Sequence, residues 1–257
     1  MSVPPGFFRG VWNVAMRNII VWRHYAAPSA LGNFGEPLLY LVALGFGLGS
    51  VVKSIDGMSY AEFLAPGLVV STVMYTATFE GTFGSYTRLV TQGTFEAMLA
   101  TPITVGELVA GEILWGGIKA TFGAVAVLTI ISLFGLVPSL WALGALPLAF
   151  LTGLLFTATA MCVTSVSKSY ESFNYYFTLA IAPMFLFSGI FFPLDRAPGW
   201  AQHLAAVMPL THVVYVSRAL IRGTPSWAML GHLAVVVGFL VAGSFACSAL
   251  MRRRLRV

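Results

Sequence analysis

Long apolar runs restrict the fold of this chain more than any other feature. A helix needs about 20 consecutive apolar residues to cross the hydrocarbon core of a bilayer, and six stretches reach that length. Inside lipid the backbone must satisfy its own hydrogen bonds, which a helix does within one segment. The sequence therefore predicts an all-α integral membrane protein with six transmembrane helices, at about residues 32–52, 62–84, 108–134, 141–166, 173–192 and 229–251.

Charge is scarce, and its distribution predicts an orientation. Only 9% of the 257 residues are charged, whereas soluble domains carry about 25%. The net charge of +5 does not indicate nucleic-acid binding, because the basic residues are not gathered on a soluble domain. With both termini in the cytoplasm, nine basic residues face inward and four outward, as the positive-inside rule favours. The inner set is Arg9, Arg17, Arg23, Arg88, Lys168, Arg252, Arg253, Arg254 and Arg256, and the outer set is Lys53, Arg196, Arg218 and Arg222.

The first 30 residues hold no span, but they carry the pattern of an amphipathic helix. Apolar side chains recur at helical spacing at Phe8, Val11, Trp12, Ala15, Ile19 and Trp22. Polar side chains fall on the other side, at Arg9, Asn13, Arg17 and His24. This pattern predicts a helix in the membrane interface, with its basic groups toward lipid phosphates. A signal peptide is the alternative, but arginines interrupt its apolar core and no small-residue cleavage site follows.

The segment at about residues 93–104, between the second and third spans, predicts a short helix that docks a partner. Thr94 is placed to cap the helix, and Glu96 lies in the first turn, where the helix dipole favours negative charge. Phe95, Met98 and Leu99 are spaced to share one face, and Pro102 ends the helix. A helix of about two turns is not stable alone. The orientation places it in the cytoplasm.

The segment at about residues 193–222, between the fifth and sixth spans, is long and still apolar. It predicts two short helices, one from Pro198 to Met208 and one over residues 211–221, separated at Pro209. We expect them to lie at the outer leaflet, or to dip into it as re-entrant elements packed on protein.

Motifs for catalysis are missing from the sequence. There is no glycine-rich phosphate-binding loop ending in Lys-Ser or Lys-Thr, so the chain has no such ATP site of its own. The histidines at 24, 203, 212 and 232 lack metal-ligand spacing, and Cys162 and Cys247 lie in apolar runs as small buried residues. Gly45 and Gly49 form a small-residue pair that packs helices, within one subunit or between two. Thr211-His212 is the weak basis for a transferase alternative.

Charged residues inside predicted spans are candidates for a substrate pathway. Charges in lipid must pair or face water, so we expect Lys119 to pair with Glu80 or Glu112 and line the inner half of a pathway. The alternative is that Lys119 extends to the interface as a structural anchor. Tyr175 and Tyr176, at the start of the fifth span, could stack on sugar or acyl groups. Packing against lipid is the alternative for these rings.

Five stretches together resemble a known family. They are Gly32-Asn-Phe-Gly-Glu-Pro-Leu-Leu-Tyr-Leu on to Gly49, Phe63-Leu-Ala-Pro-Gly-Leu, Gly93-Thr-Phe-Glu-Ala-Met-Leu-Ala-Thr-Pro-Ile, Pro183-Met-Phe-Leu-Phe-Ser-Gly on to Phe192-Pro-Leu-Asp, and Met208-Pro-Leu-Thr-His212. In this order they resemble the permease subunit of ABC-2 type exporters, and most of all its NodJ-like lipo-oligosaccharide branch.

The resemblance implies a function and a division of roles along the chain. Such permeases are homodimers in the bacterial inner membrane that export amphipathic substrates, from lipo-oligosaccharides, glycolipids and polysaccharides to drugs. They bind two cytoplasmic ATPase subunits, which hold ATP and Mg, and are not enzymes themselves. Residues 1–30 would form a gate helix, and residues 31–257 the transmembrane domain. The implied coupling-helix residues are Phe95, Glu96, Met98, Leu99, Thr101 and Pro102. The implied gate-helix residues are Phe8, Trp12, Arg17 and Trp22, and those of the outer gate are Phe192, Pro193, Asp195 and Pro209. A passive channel and a lipid-modifying transferase are the rival classes.

Overall fold

The structure, a computed structural model, describes residues 6–26, 35, 37–52, 54, 55 and 57–255, and all regular elements in this part are helical apart from one isolated bridge between Ile55 and Met58. The helices are α1 Phe7–Trp22, α2 Pro37–Ser50, α3 Tyr60–Thr91, α4 Thr94–Leu99, α5 Val105–Leu133, α6 Leu140–Val166, α7 over residues 171–187, α8 Gly199–Val207, α9 Pro209–Arg222 and α10 Ala228–Arg254. The prediction of an all-helical membrane protein is confirmed.

Four helices are long and apolar enough to cross a membrane, or five if α8 and α9 together count as one bent span. These four are α3, α5, α6 and α10, with 32, 29, 27 and 27 residues. They match four of the six predicted spans. The first predicted span corresponds to the shorter α2, and the fifth to α7. Residues 32–34 and Glu36 lie outside the described residues, as do Lys53 and Arg256.

The long helices begin where their sequences provide caps. Ser59 and Glu62 form a capping box at the start of α3, and Thr104 and Glu107 form another at the start of α5. In each box the hydroxyl accepts a hydrogen bond from the backbone N–H three residues on, and the glutamate accepts one from the backbone of the capping residue. The loops before α3 and α5 therefore end at defined residues.

Helices α3, α5 and α6 form the centre of the protein, and glycines bring their backbones close together. A methyl group on Gly116 of α5 would lie 2.0 Å from Thr157 Oγ1 of α6, and one on Gly81 of α3 would lie 2.7 Å from Ala160 Cβ of α6. Small residues at such crossings are typical of membrane helices. Gly45 and Gly49 likewise face Ala61 and Tyr60 of the same chain, so this pair packs α2 on α3.

Helix α1 packs on α5 with a face that overlaps only in part with the predicted apolar side. Its buried residues are Gly10, Val14, Ala15 and Asn18. A methyl group on Gly111 of α5 would lie 2.5 Å from Val14 Cβ, so the two backbones almost touch. The bulky apolar residues Phe8 and Trp12 point away from this contact and are exposed.

The start of α1, the end of α10 and two connections meet at one end of the helices. Arg254 Nη1 donates a hydrogen bond to the Thr164 carbonyl at 2.7 Å, and the Tyr86 hydroxyl donates one to the Lys168 carbonyl at 2.7 Å. Gly106 of α5 lies beside Arg252 and Phe7. Because α4 directly precedes α5, this end also contains the predicted docking helix. We call it the basic end.

Candidate functional site: a buried charge network beneath the N-terminal helix

Two acidic and two basic side chains form one buried network between α3 and α5. Arg88 Nη2 lies 2.7 Å from Glu80 Oε1 and 2.6 Å from Glu112 Oε2. Lys119 Nζ lies 2.6 Å from Glu80 Oε2. The predicted pairing of Lys119 with Glu80 or Glu112 is therefore confirmed for Glu80, while Glu112 pairs with Arg88.

Neutral groups also donate hydrogen bonds to the two carboxylates. Trp115 Nε1 donates to Glu80 Oε1 at 2.8 Å, and Asn18 Nδ2 of α1 donates to Glu112 Oε1 at 2.7 Å. Ser85 Oγ donates to Glu112 Oε2 at 3.2 Å. Every carboxylate oxygen of the network thus has a partner, as buried charges require. Asn18 also joins the N-terminal helix to this network.

Local backbone geometry of α3 makes room for the network. The helix contains two π-helical turns, Glu80–Gly84 and Thr87–Thr91, which widen it around the charged residues. Gly84 lies where a methyl group would be 2.8 Å from Glu80 Oε1. Only glycine leaves space for the carboxylate to fold back over the helix. π-Helical turns are frequent at functional sites.

A cavity of about 300 Å³ opens beside the network. We call it the polar chamber and define it by six of its lining residues, Arg17, Asn18, Glu80, Arg88, Trp115 and Lys119. It brings together the predicted pathway residues Glu80 and Lys119 with Arg17 of the predicted gate helix. Arg88 and Asn18 were not predicted as site residues. The spacing of Arg88 from Glu80 could have indicated its role. The predicted span ended at residue 84, however, so Arg88 was placed outside it, whereas α3 continues to Thr91.

The predicted gate-helix residues lie in three environments. Phe8 and Trp12 are exposed. Arg17, predicted to lie on the polar side of the helix, lines the chamber and donates from Nη1 to Asn18 Oδ1 at 2.9 Å. The Trp22 ring lies 5.8 Å from that of Trp115 and 5.1 Å from that of Phe122.

The predicted coupling helix α4 is seated on the protein by its apolar face. Phe95 is fully buried in a cluster with residues of α5, α6 and α10, and Met98 and Leu99 pack against the same cluster. Glu96, Thr101 and Pro102 are exposed. The predicted capping by Thr94 is wrong: Gly93, with a left-handed φ of 61°, occupies the N-cap position, and Thr94 Oγ1 donates to Gln92 Oε1.

The other predicted site residues lie apart from the chamber's lining. Tyr175 is exposed, and Tyr176 packs half-buried against the main core. The pair of short helices predicted between the fifth and sixth spans corresponds to α8 and α9, which meet at an angle of 89°. Phe192 and Pro193 are half-buried and Asp195 is exposed, while Pro209 is buried and begins α9 instead of only ending α8.

His212 contacts another histidine. Its Nδ1 lies 2.7 Å from Nδ1 of His232 on α10, and its Nε2 lies 3.1 Å from the Ala206 carbonyl. Among the described residues, no group of three or more potential metal ligands is found. Both His212 ring nitrogens are thus engaged within the fold, which does not favour the transferase alternative.

Long apolar helices that enclose a charged chamber, beside a short seated helix, define a polytopic membrane protein of the transport class. The chain belongs to the ABC-2 type transporter family, whose sequence model matches residues 9–221. It is thus a membrane-embedded permease subunit.

Individual relatives agree with this assignment. The chain is 39% identical to nodulation protein J of Rhizobium meliloti (strain 1021) over 247 residues, which is 95% of this chain and 94% of the relative. It is 38% identical to nodulation protein J of Rhizobium leguminosarum bv. viciae over 245 residues, covering 95% and 93% of the two chains. It is 27% identical to the inner membrane transport permease YadH of Escherichia coli (strain K12) over 218 residues, or 84% of each chain.

Proposed function

We propose that the chain is the permease of an ATP-driven exporter that moves an amphipathic lipo-oligosaccharide, glycolipid or polysaccharide outward across the bacterial inner membrane. Membership of the ABC-2 type transporter family supports a transport role, and the similarity to nodulation proteins J, with the resemblance to the NodJ-like lipo-oligosaccharide branch, favours the lipo-oligosaccharide class. The similarity to a protein named inner membrane transport permease favours that membrane. Two copies would form the pathway, and two ATPase subunits would hold ATP and Mg.

In this proposal the chain has six spans and both termini lie in the cytoplasm. Helices α2 and α7 supply the first and fifth spans, and the bent pair α8 and α9 dips into the outer leaflet near Phe192, Pro193, Asp195 and Pro209. The arginines of the basic end support this orientation through the positive-inside rule. Glu80, Lys119, Tyr175 and Tyr176 would face the substrate.

The packing of α4 against three long helices is the observation that best supports the proposal. Phe95 contacts a cluster to which α5, α6 and α10 all contribute. A displacement of α4 therefore moves the cytoplasmic ends of three long helices, because packed interiors resist compression. We assign Phe95, Met98 and Leu99 to holding α4 in place. Glu96, Thr101 and Pro102, which are exposed, would contact the ATPase.

Helix α1 supplies the second coupling element in this proposal. Its exposed Phe8 and Trp12 would lie at the membrane surface, and Trp22 contacts Trp115 next to the charge network. Arg17 and Asn18 connect the helix to the same network. A shift of α1 would therefore be transmitted to Glu112 through its hydrogen bond with Asn18.

Co-purification with the ATPase tests the proposal. The chain is co-expressed with the proposed partner ATPase, and Thr101→Arg at the basic end is compared with Thr224→Arg, an exposed residue just beyond α9. We expect Thr101→Arg to lower ATPase recovery and ATP-dependent export, and Thr224→Arg to leave both unchanged. Equal recovery with both variants would contradict the assignment of α4.

Substrate class needs a separate measurement. We expect cells that lack the chain to accumulate an amphipathic glycan or lipo-oligosaccharide on the cytoplasmic side, detectable by mass spectrometry of extracted lipids. Accumulation of a hydrophobic small molecule alone would favour the drug-exporter alternative.

A further inference from the structure

The polar chamber holds more positive than negative charge. Arg17, Arg88 and Lys119 line it, and the carboxylates of the network are Glu80 and Glu112, which leaves a net charge of +1. All four carboxylate oxygens already accept bonds from the surrounding side chains. Each carboxylate oxygen of the network therefore already has a partner within the protein.

The cationic side chains of the chamber, in contrast, have more N–H hydrogens than the hydrogen bonds that they donate. A lysine ammonium has three N–H hydrogens and an arginine guanidinium has five. Within the described part of the chain, Lys119 Nζ donates one side-chain hydrogen bond, to Glu80, and Arg17 donates one, to Asn18. The side chains of Lys119 and Arg17 are both only partly buried. The chamber thus offers unused N–H groups on cationic side chains, which is the chemistry that recognises an anion.

The chamber also lies at the depth of lipid phosphates. Ser59 and the exposed Glu62 begin α3 at a polar boundary. At 1.5 Å per residue, Glu80 lies about 30 Å along α3 from Tyr60 and Arg88 about 42 Å. The hydrocarbon core of a bilayer is about 30 Å thick. With α3 crossing the bilayer from that boundary, as in the proposed placement, Glu80 would lie near the edge of this core and Arg88 in the headgroup region.

From these observations we propose that the polar chamber binds the phosphate of an anionic headgroup, held by Arg17 and Lys119. The apolar side chains of Val21 and Phe83 also line the cavity and would contact the first carbons of the attached lipid. The proposal rests on the membrane placement given under the proposed function, but not on the ATPase partner.

Binding of short-chain lipids to the purified full-length chain tests this site. Thermal unfolding in maltoside detergent is followed against concentration of dioctanoyl phosphatidylglycerol, and dioctanoyl phosphatidylcholine is the zwitterionic comparison. Arg17→Gln removes the charge but can still donate to Asn18, whereas Arg9→Gln removes an exposed charge from the same helix. Arg17→Gln leaves all carboxylates paired, so folding is preserved.

We expect saturable stabilisation by phosphatidylglycerol, weakened about 10-fold or more by Arg17→Gln, as for loss of a hydrogen bond to a charged group. Arg9→Gln should remain within about twofold of the parent. Competition by millimolar inorganic phosphate would support a site for the phosphate alone, and failure to compete would support one that needs the lipid. Equal affinity for phosphatidylcholine, or equal effects of the two substitutions, would overturn the proposal.

The two proposals fail separately. Failure of the unsubstituted chain to recruit the ATPase, with intact lipid binding, would overturn only the exporter proposal. Absent lipid binding in a chain that still recruits the ATPase would overturn only the anion site.

Discussion

Replacing Arg88 by methionine is expected to destabilise the protein much more than replacing Lys119 by methionine. Arg88 Nη2 contacts both Glu80 and Glu112, at 2.7 and 2.6 Å, whereas Lys119 contacts Glu80 alone. Without Arg88, the fully buried carboxylate of Glu112 has no counter-charge, and breaking such a pair costs about 3–5 kcal/mol. Without Lys119, Glu80 keeps Arg88 and Trp115. That loss is one charged hydrogen bond from a lysine that is 21% exposed, or about 1.5 kcal/mol.

Unfolding of the detergent-solubilised variants in increasing dodecyl sulfate measures this difference, with helical circular dichroism as the signal. A second substitution provides the decisive comparison. Glu112→Gln in the Arg88→Met background removes the unpaired charge and keeps an acceptor for Asn18, so we expect it to restore at least half of the lost stability. The reasoning is refuted if Lys119→Met is as damaging as Arg88→Met, or if Glu112→Gln lowers the stability of Arg88→Met further.

Three further predictions concern coupling, transport and packing. Phe95→Ala or Leu99→Asp should reduce ATP-dependent export more than membrane insertion, because either change loosens α4; full export by either variant would contradict the seating role. Lys119→Met should lower export at near-normal expression, and unchanged export would reject a pathway role for Lys119. Gly116→Ala should cost about 1–3 kcal/mol in unfolding free energy through its clash with Thr157, whereas Gly231→Ala, with open space around it, should be neutral or stabilising.

Hydropathy and helical periodicity were sufficient to predict the four long helices, the seated helix α4 and the pair α8 and α9. They did not predict the packing of α1. Its buried face consists of Gly10, Val14, Ala15 and Asn18, of which only Ala15 belongs to the predicted apolar side. In a membrane protein large apolar side chains can face lipid at no cost, while close contact between helices favours small residues. The amphipathic pattern therefore does not by itself distinguish the side of α1 that packs on protein from the side that does not.

Only part of the charge network could be predicted from the sequence. The rule that charges in lipid pair with one another identified Lys119 and Glu80. It did not identify Arg88, because a span is conventionally ended where charged residues begin. Helix α3 continues past that point, since Glu80 and Glu112 neutralise Arg88 within the protein. Which residues pair across two helices depends on their rotation and relative depth, and neither is encoded in the periodicity of one segment.

The division of these charges between α3 and α5 also constrains how the chain enters the membrane during synthesis. Glu112 has a cationic partner only on α3, and Lys119 has an anionic partner only there, among the described residues. A lone α5 released sideways from the translocon would expose both charges to lipid, where each costs a few kcal/mol. The two helices are therefore expected to leave the translocon as a hairpin, already joined by their ion pairs. Helix α1 is synthesised first, so Asn18 can donate its hydrogen bond to Glu112 only after α5 has been made.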